Sequence, residues 1–152
     1  MKKILVCVAM LITGVSACKK DKFGLEKLAL ADDQKIQEFI TSKNITAIKH
    51  PSGLYYVVSN AGWGNITYTV NTSITVKYTG RRLNGSIFEQ GTITYPIGGL
   101  IGGWQIGVPL IQKGGKIRLI IPSALAYGTA GQGSIPPNTV LDFDIELLNV
   151  TN

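Results

Sequence analysis

A chain of 152 residues, 45% hydrophobic and 16% charged, supports one domain with a proper core plus an extension. Its formal charge of +6 sets 15 Lys and Arg against 9 Asp and Glu, and Lys2, Lys3, Lys19, Lys20, Lys22 and Lys27 all lie near the N-terminus. This bias is a charged terminus rather than a nucleic-acid footprint, because no basic-aromatic interleaving or helix-turn-helix pattern accompanies it. One His and two Cys supply no ligand set for a metal-dependent hydrolase and no disulfide framework.

Lys2 and Lys3 precede an apolar run from Ile4 to Val15, which is shorter than the ~20 residues a membrane span needs. Val15-Ser16-Ala17-Cys18 resembles a bacterial lipobox. That resemblance implies cleavage before Cys18 and acylation of its thiol and new amine. The expected division is a signal peptide at 1–17, a lipidated tether with a short helix at 18–50, and the main domain at 51–152. Cys7 would leave with the signal and Cys18 would carry lipid, so no disulfide would form in a compartment that permits one. Several acyl chains on one residue anchor stably where one would not. From Cys18 onward, 13 Lys and Arg face 9 Asp and Glu, a net +4. Lys19 does not resemble the common inner-membrane retention signal, which favours the outer membrane, facing periplasm or surface. The Asn-x-Ser/Thr triplets at Asn44, Asn65, Asn71, Asn84 and Asn149 are then chance occurrences.

Residues 19–31 read as a tether that reaches at most ~45 Å if extended. Residues 32–43 read as one short helix, with Asp32 or Asp33 as cap and Ile36, Phe39 and Ile40 as its apolar stripe. His50-Pro51-Ser52-Gly53 is a turn, with His50 at the surface. Leu54 to Val58 is β-prone, and Asn60 to Asn65 is a loop. Period-2 alternation then predicts strands. Ile74, Val76 and Tyr78 alternate with Thr75, Lys77 and Thr79; Ile117, Leu119 and Ile121 with Lys116, Arg118 and Ile120; and Leu141, Phe143, Ile145 and Leu147 with Asp142, Asp144 and Glu146. Each strand is read with one buried and one largely solvated face. On that reading the acidic row of the last strand is a wet face rather than a metal site. Between the strands only Gly103 to Ile111 suits a helix, opened by Trp104, with Pro109 near its end. It covers the apolar face of an antiparallel sheet, which makes the fold α+β.

The large apolar residues Tyr78, Phe88, Ile101, Trp104, Tyr127, Ile135 and Phe143 read as core by composition alone. Six segments in order carry more: Val76-Lys77-Tyr78-Thr79-Gly80, Asn84 to Phe88, the Gly98–Trp104 segment, Leu125-Ala126-Tyr127-Gly128, Ile135 to Thr139, and Leu141 to Leu147. Together they resemble the FKBP-type peptidyl-prolyl isomerases over roughly residues 53–150. The resemblance implies an antiparallel sheet of five to six strands wrapped on one short helix, preceded here by a short N-terminal helical extension. It implies Trp104 as pocket floor, Tyr78, Phe88 and Phe143 as aromatic walls, Ile93 as a further wall, and Leu100 and Ile101 as an apolar edge. It gives the Tyr127 hydroxyl and the Ile135 N–H to a bound carbonyl, and makes Gly128 to Gly133 a mobile loop over the pocket.

Two positions depart from the family pattern. Glu89 stands where the family usually has Asp, and Gly102 where eukaryotic members often carry a basic residue. The implied activity is Xaa-Pro isomerisation without cofactor or metal, on proline-containing proteins of the cell envelope, with macrolide inhibitors as further ligands. One helix too short for a dimerisation arm favours a monomer. The competing reading is a binding or chaperone module that keeps the pocket but has little isomerase activity.

Overall fold

The computed structural model describes residues 17–152, with side chains from Gly24 onward. The expected leader up to Ser16 and the side chain of Cys18 therefore lie outside the described residues. The chain opens with helix α1, Ala17–Ser42. It continues through strands β1 (Ile48–Lys49), β2 (Tyr55–Asn60), β3 (Ser73–Arg82) and β4 (Ile87–Pro96). Helix α2 (Gly102–Gly107) follows, then β5 (Lys116–Ile121) and β6 (Leu141–Thr151). All six strands join one antiparallel sheet in the order β1-β2-β5-β6-β3-β4. This is the expected α+β architecture, and β4 is a strand that alternation alone does not pick out.

One face of the sheet wraps α2. Ile74, Val76, Ile117, Leu119, Ile121, Phe143, Ile145 and Leu147 bury against Trp104, Val108 and Ile111 in a single apolar cluster. The helix lies directly on β5 because it has no side chain where it touches. A Cβ on Gly103 would come within 2.5 Å of Ile121, and one on Gly107 within 2.5 Å of Leu119. The predicted helix over 103–111 is thus a short α-helix that tightens into a 3₁₀ turn at Val108–Leu110, where Pro109 falls.

The other face carries α1, and here three expectations change. The helix extends far upstream of Asp32, through the segment read as a tether. Leu25-Glu26-Lys27-Leu28-Ala29-Leu30-Ala31 is a run of strong helix formers, which favours this outcome. Ile120 is not solvated, because it packs with Ile36, Tyr55 and Val140 in a second cluster beneath the helix. Asp142 is buried rather than wet. Arg118 donates to both of its carboxylate oxygens at 2.8 Å, and the same guanidinium lies 5.8 Å from the Phe39 ring of α1. Asp144 and Glu146 do face outward, paired with Arg81 at 2.6 Å and Lys116 at 3.5 Å.

Polar contacts clip the helix to the sheet edge. The Tyr55 hydroxyl donates to Asp33 at 2.7 Å and accepts from Gln37 at 2.6 Å, while Lys49 reaches Asp33 at 2.6 Å. The Lys49 ammonium holds the Asp33 carboxyl below its ordinary value. Just past the end of the helix, the left-handed φ of 52° at Asn44 lets the Ile45 N–H reach the Ile40 carbonyl at 2.8 Å. His50 sits half-buried in its predicted turn, its Nδ1 2.9 Å from Ser52 Oγ.

Ile36 is the fully buried centre of the contact between α1 and the sheet. Ile36→Ala should lower unfolding free energy by about 2–5 kcal/mol, the usual range for a core truncation. Urea denaturation followed by circular dichroism measures this, and an unchanged midpoint would mean that α1 docks only loosely.

Candidate active site

The site lies where β3, β4 and β6 meet the start of α2. A cavity of about 310 Å³ opens there, lined by Tyr78, Glu89, Ile93, Gly99, Leu100, Ile101, Trp104, Tyr127 and Phe143. Trp104 forms its floor. Its ring centroid is 5.2 Å from Tyr78 at 80° and 5.3 Å from Phe143 at 90°, both edge-to-face. Such pairs fix ring orientation beyond what burial alone would do. The indole N–H is buried and has no acceptor among the described residues.

Phe88 is not part of the lining. Its ring meets Phe143 edge-on at 5.6 Å and 88°. Both phenyl rings pass over Gly80, where a Cβ would come within 2.6 Å of Phe143 and 2.7 Å of Phe88. Gly80 thereby enters the site as a position that alternation does not reveal. A second such residue is Gln105, whose side-chain amide donates to the carbonyls of Leu100 at 2.7 Å and Gly98 at 3.2 Å. It pins the apolar edge Leu100–Ile101 against the helix that follows.

One of the two expected carbonyl donors is already engaged within the chain. The Ile135 N–H is given to the Gln132 carbonyl at 2.8 Å, closing the tight turn 132–135, and the Ile135 side chain lies in the core. The N–H at the rim is that of Ile101. Ile101 is the residue before the first turn of α2, and its carbonyl accepts from Trp104 at 2.9 Å. Among the described residues its N–H has no hydrogen-bond acceptor, as the first amides of a helix generally do not. The glycine-rich segment 128–133 is held by backbone bonds from Gly131 to Tyr127 at 3.1 Å and from Asn138 to Gly128 at 2.8 Å. Arg82 of the β3–β4 hairpin adds a donor to the Ser134 carbonyl.

Glu89 keeps a place in the lining despite its extra methylene. Burial, and then the nearby Glu89 carboxylate, pushes the Tyr78 hydroxyl up to about 12. Burial, again followed by Glu89, raises Tyr127 too. Both phenols are therefore protonated donors at neutral pH. Two larger grooves, of about 430 and 440 Å³, lie on the opposite face of the sheet. Their walls carry the Arg118–Asp142 and Arg81–Asp144 pairs rather than a set of packed rings.

The comparisons agree with this geometry. Residues 64–148 match the family described as FKBP-type peptidyl-prolyl cis-trans isomerase. The chain belongs to that family. The isomerase FkpA of Buchnera aphidicola from Schizaphis graminum is 41% identical over 77% of this chain and 48% of its own length. FkpA of Escherichia coli K12 is 42% identical over 65% of this chain and 38% of its own. The chain thus spans about half or less of the length of these curated relatives. The crystal structure of FkpA from Escherichia coli superposes with a TM-score of 0.72 at 35% identity, covering 86% of this chain and 64% of that one. A prolyl isomerase from Pseudomonas syringae gives 0.69 at 30% identity, covering 84% of this chain and 96% of that one.

The raised tyrosines set the alkaline limit of the fold. A tyrosine in the unfolded chain loses its proton near 10, whereas Tyr68 and Tyr78 hold theirs to about 12. Between those values the unfolded state binds fewer protons, so stability falls as pH rises. Denaturation midpoints should hold steady up to about pH 9 and drop from about pH 10 to 12. Tyr78→Phe should lessen that drop, and an equal drop in the variant would contradict the assignment.

Proposed function

We propose that this chain accelerates cis–trans isomerisation of Xaa-Pro bonds in protein substrates. The observation that carries the reading is an aromatic floor and walls beside two protonated phenols and an amide N–H without an acceptor among the described residues, with Glu89 the one carboxylate in the lining. This arrangement suits a reaction that makes and breaks no σ bond. Xaa-Pro rotation is slow because the planar amide is resonance-stabilised. At the barrier the amide is twisted, and its carbonyl is less polar than in the planar form. Water favours the planar form, so a site that excludes water lowers the barrier.

Trp104, Tyr78, Ile93 and Phe143 would hold the proline ring. The Ile101 N–H, with the Tyr127 hydroxyl across the cavity, would fix substrate carbonyls. Binding that strengthens only in the twisted state raises the rate. The test is the refolding rate of a substrate limited by proline isomerisation. The rate should rise in proportion to added protein, and Trp104→Leu or Phe143→Tyr should lower kcat/KM by about tenfold or more, the loss expected of groups used in the transition state. A folded protein that gives no acceleration would assign the pocket to binding instead.

The same reading places the domain in the cell envelope, held by lipid on Cys18. It is supported by the Lys2-Lys3 pair, the short apolar run, and Ser16-Ala17-Cys18. Envelope proteins in the course of folding would then be its substrates. An outer-membrane position rests on Lys19 after the acylated cysteine, and a monomer on the docking of α1 to its own sheet. Fractionation of cells expressing the full chain tests the anchor. The protein should pellet with membranes, and Cys18→Ser should release it to the soluble fraction; pelleting that survives the substitution would refute lipidation at Cys18.

A further inference from the structure

The mechanism leaves two buried carboxylates unused, and of these Asp142 is taken up by Arg118. Asp32 of α1 is fully buried, and Oδ2 accepts two hydrogen bonds from Ser123, from the N–H at 2.8 Å and from Oγ at 2.5 Å. Oδ1 faces Lys35 at 3.4 Å. Ser123 is fully buried as well, and it opens the 3₁₀ turn Ser123–Leu125 that follows β5. A carboxylate buried beside a single half-exposed lysine is costly to maintain, and its main partner lies 91 positions along the chain. Ile36 and the Asp33–Tyr55–Lys49 contacts also hold the helix to the sheet, at places that do not reach Ser123.

The other end of Ser123 shows what the carboxylate reaches. The Ser123 carbonyl accepts from Ala126 N–H at 3.0 Å and from Gly128 N–H at 2.8 Å. These are the residues on either side of Tyr127. The backbone that carries the tyrosine is therefore tied at both flanks to one residue, and that residue is gripped on its donor side by Asp32. Leu125 of the same turn packs over Gly102, beside Ile101. Asp32 lies upstream of the segment that matches the family.

We infer that Asp32, acting through Ser123, is a positioning residue for the Tyr127 hydroxyl, so that the N-terminal helix sets the activity of the pocket it never touches. The inference rests on the isomerase reading above, with Tyr127 as a carbonyl donor. Hydrogen bonds from a rigid turn restrict where a phenol can point, and a donor aimed at a carbonyl loses most of its value when misaligned.

The test is a double-mutant cycle on the full chain, read as kcat/KM on a proline-limited peptide. Asp32→Ala should lower activity about three- to tenfold, the loss of roughly one well-aligned hydrogen bond. In a Tyr127→Phe background the same change should cost less than about twofold, since residues acting through one group do not add. A role confined to stability would give the same loss in both backgrounds. Should Asp32→Ala fail to fold, Ser123→Ala carries the cycle, because it keeps the N–H bond and removes only the hydroxyl. Asp32→Asn, which keeps an oxygen acceptor, should recover part of the activity.

Equal losses in the two backgrounds, or wild-type activity in Asp32→Ala, would overturn the positioning role while leaving the isomerase intact. An active protein unaffected by Tyr127→Phe would overturn it by removing its target. No acceleration by the unsubstituted protein would fell the isomerase reading and this inference together.

Discussion

Three rings hold this molecule in register. Trp104 meets Tyr78 and Phe143 edge-on at 5.2 and 5.3 Å, and so ties the start of α2 to the adjacent strands β3 and β6. Each such pair contributes about 0.5–1.5 kcal/mol beyond burial, and the gain depends on angle. The same rings are the floor and walls of the cavity. Core and site are therefore one construction. A substitution that loosens the core here also opens the pocket, and the pocket's shape inherits the rigidity of close packing. Glycine makes the construction possible. Gly103 and Gly107 let α2 settle onto β5, and Gly80 lets two phenyl rings lie across β3.

The two faces of the sheet divide the work. The α2 face is apolar and carries the rings. The α1 face joins a small apolar cluster to buried and exposed ion pairs, in which the buried Asp142 lies 2.8 Å from Arg118 and 4.0 Å from Arg81. Replacing a buried pair by apolar residues is often neutral, but removing one partner is costly, so Asp142 needs Arg118 more than the fold needs the pair. The helix over this face completes the environment of Ile120, which would otherwise be an exposed strand residue. It also reaches past the sheet edge to the turn that leads into Tyr127.

Much of this was legible in the residues. Period-2 alternation located β3, β5 and β6, and the single helix-prone stretch between them gave α2. The ordered segments from Val76 to Leu147 placed Tyr78, Trp104, Tyr127 and Phe143 around one cavity. What alternation missed had a common cause: it reports the faces of an isolated strand and is blind to a cover that arrives from elsewhere in the chain. Alternation makes Ile120 and Asp142 wet because strand periodicity carries no sign of the helix α1 that docks over that face. Edge strand β4 escaped because most of its side chains are exposed and its apolar spacing is weak. The family resemblance implies Phe88 as a wall, and in the structure its ring meets Phe143 edge-on at 5.6 Å.

That the Ile135 N–H is engaged while the Ile101 N–H is free among the described residues has a more general reason. A side chain's candidacy can be read from its type, but a backbone N–H looks the same at every position except proline. Whether it is free depends on which carbonyl folds back to it. At Ile135 the turn brings the Gln132 carbonyl within 2.8 Å and uses the donor up. At Ile101 the chain is about to enter a helix, whose first amides have no carbonyl behind them. Trp104 is three residues into the same element, so one helix start presents both the apolar floor and the polar rim. A helix of six residues suffices because its role in the site is confined to its first turn.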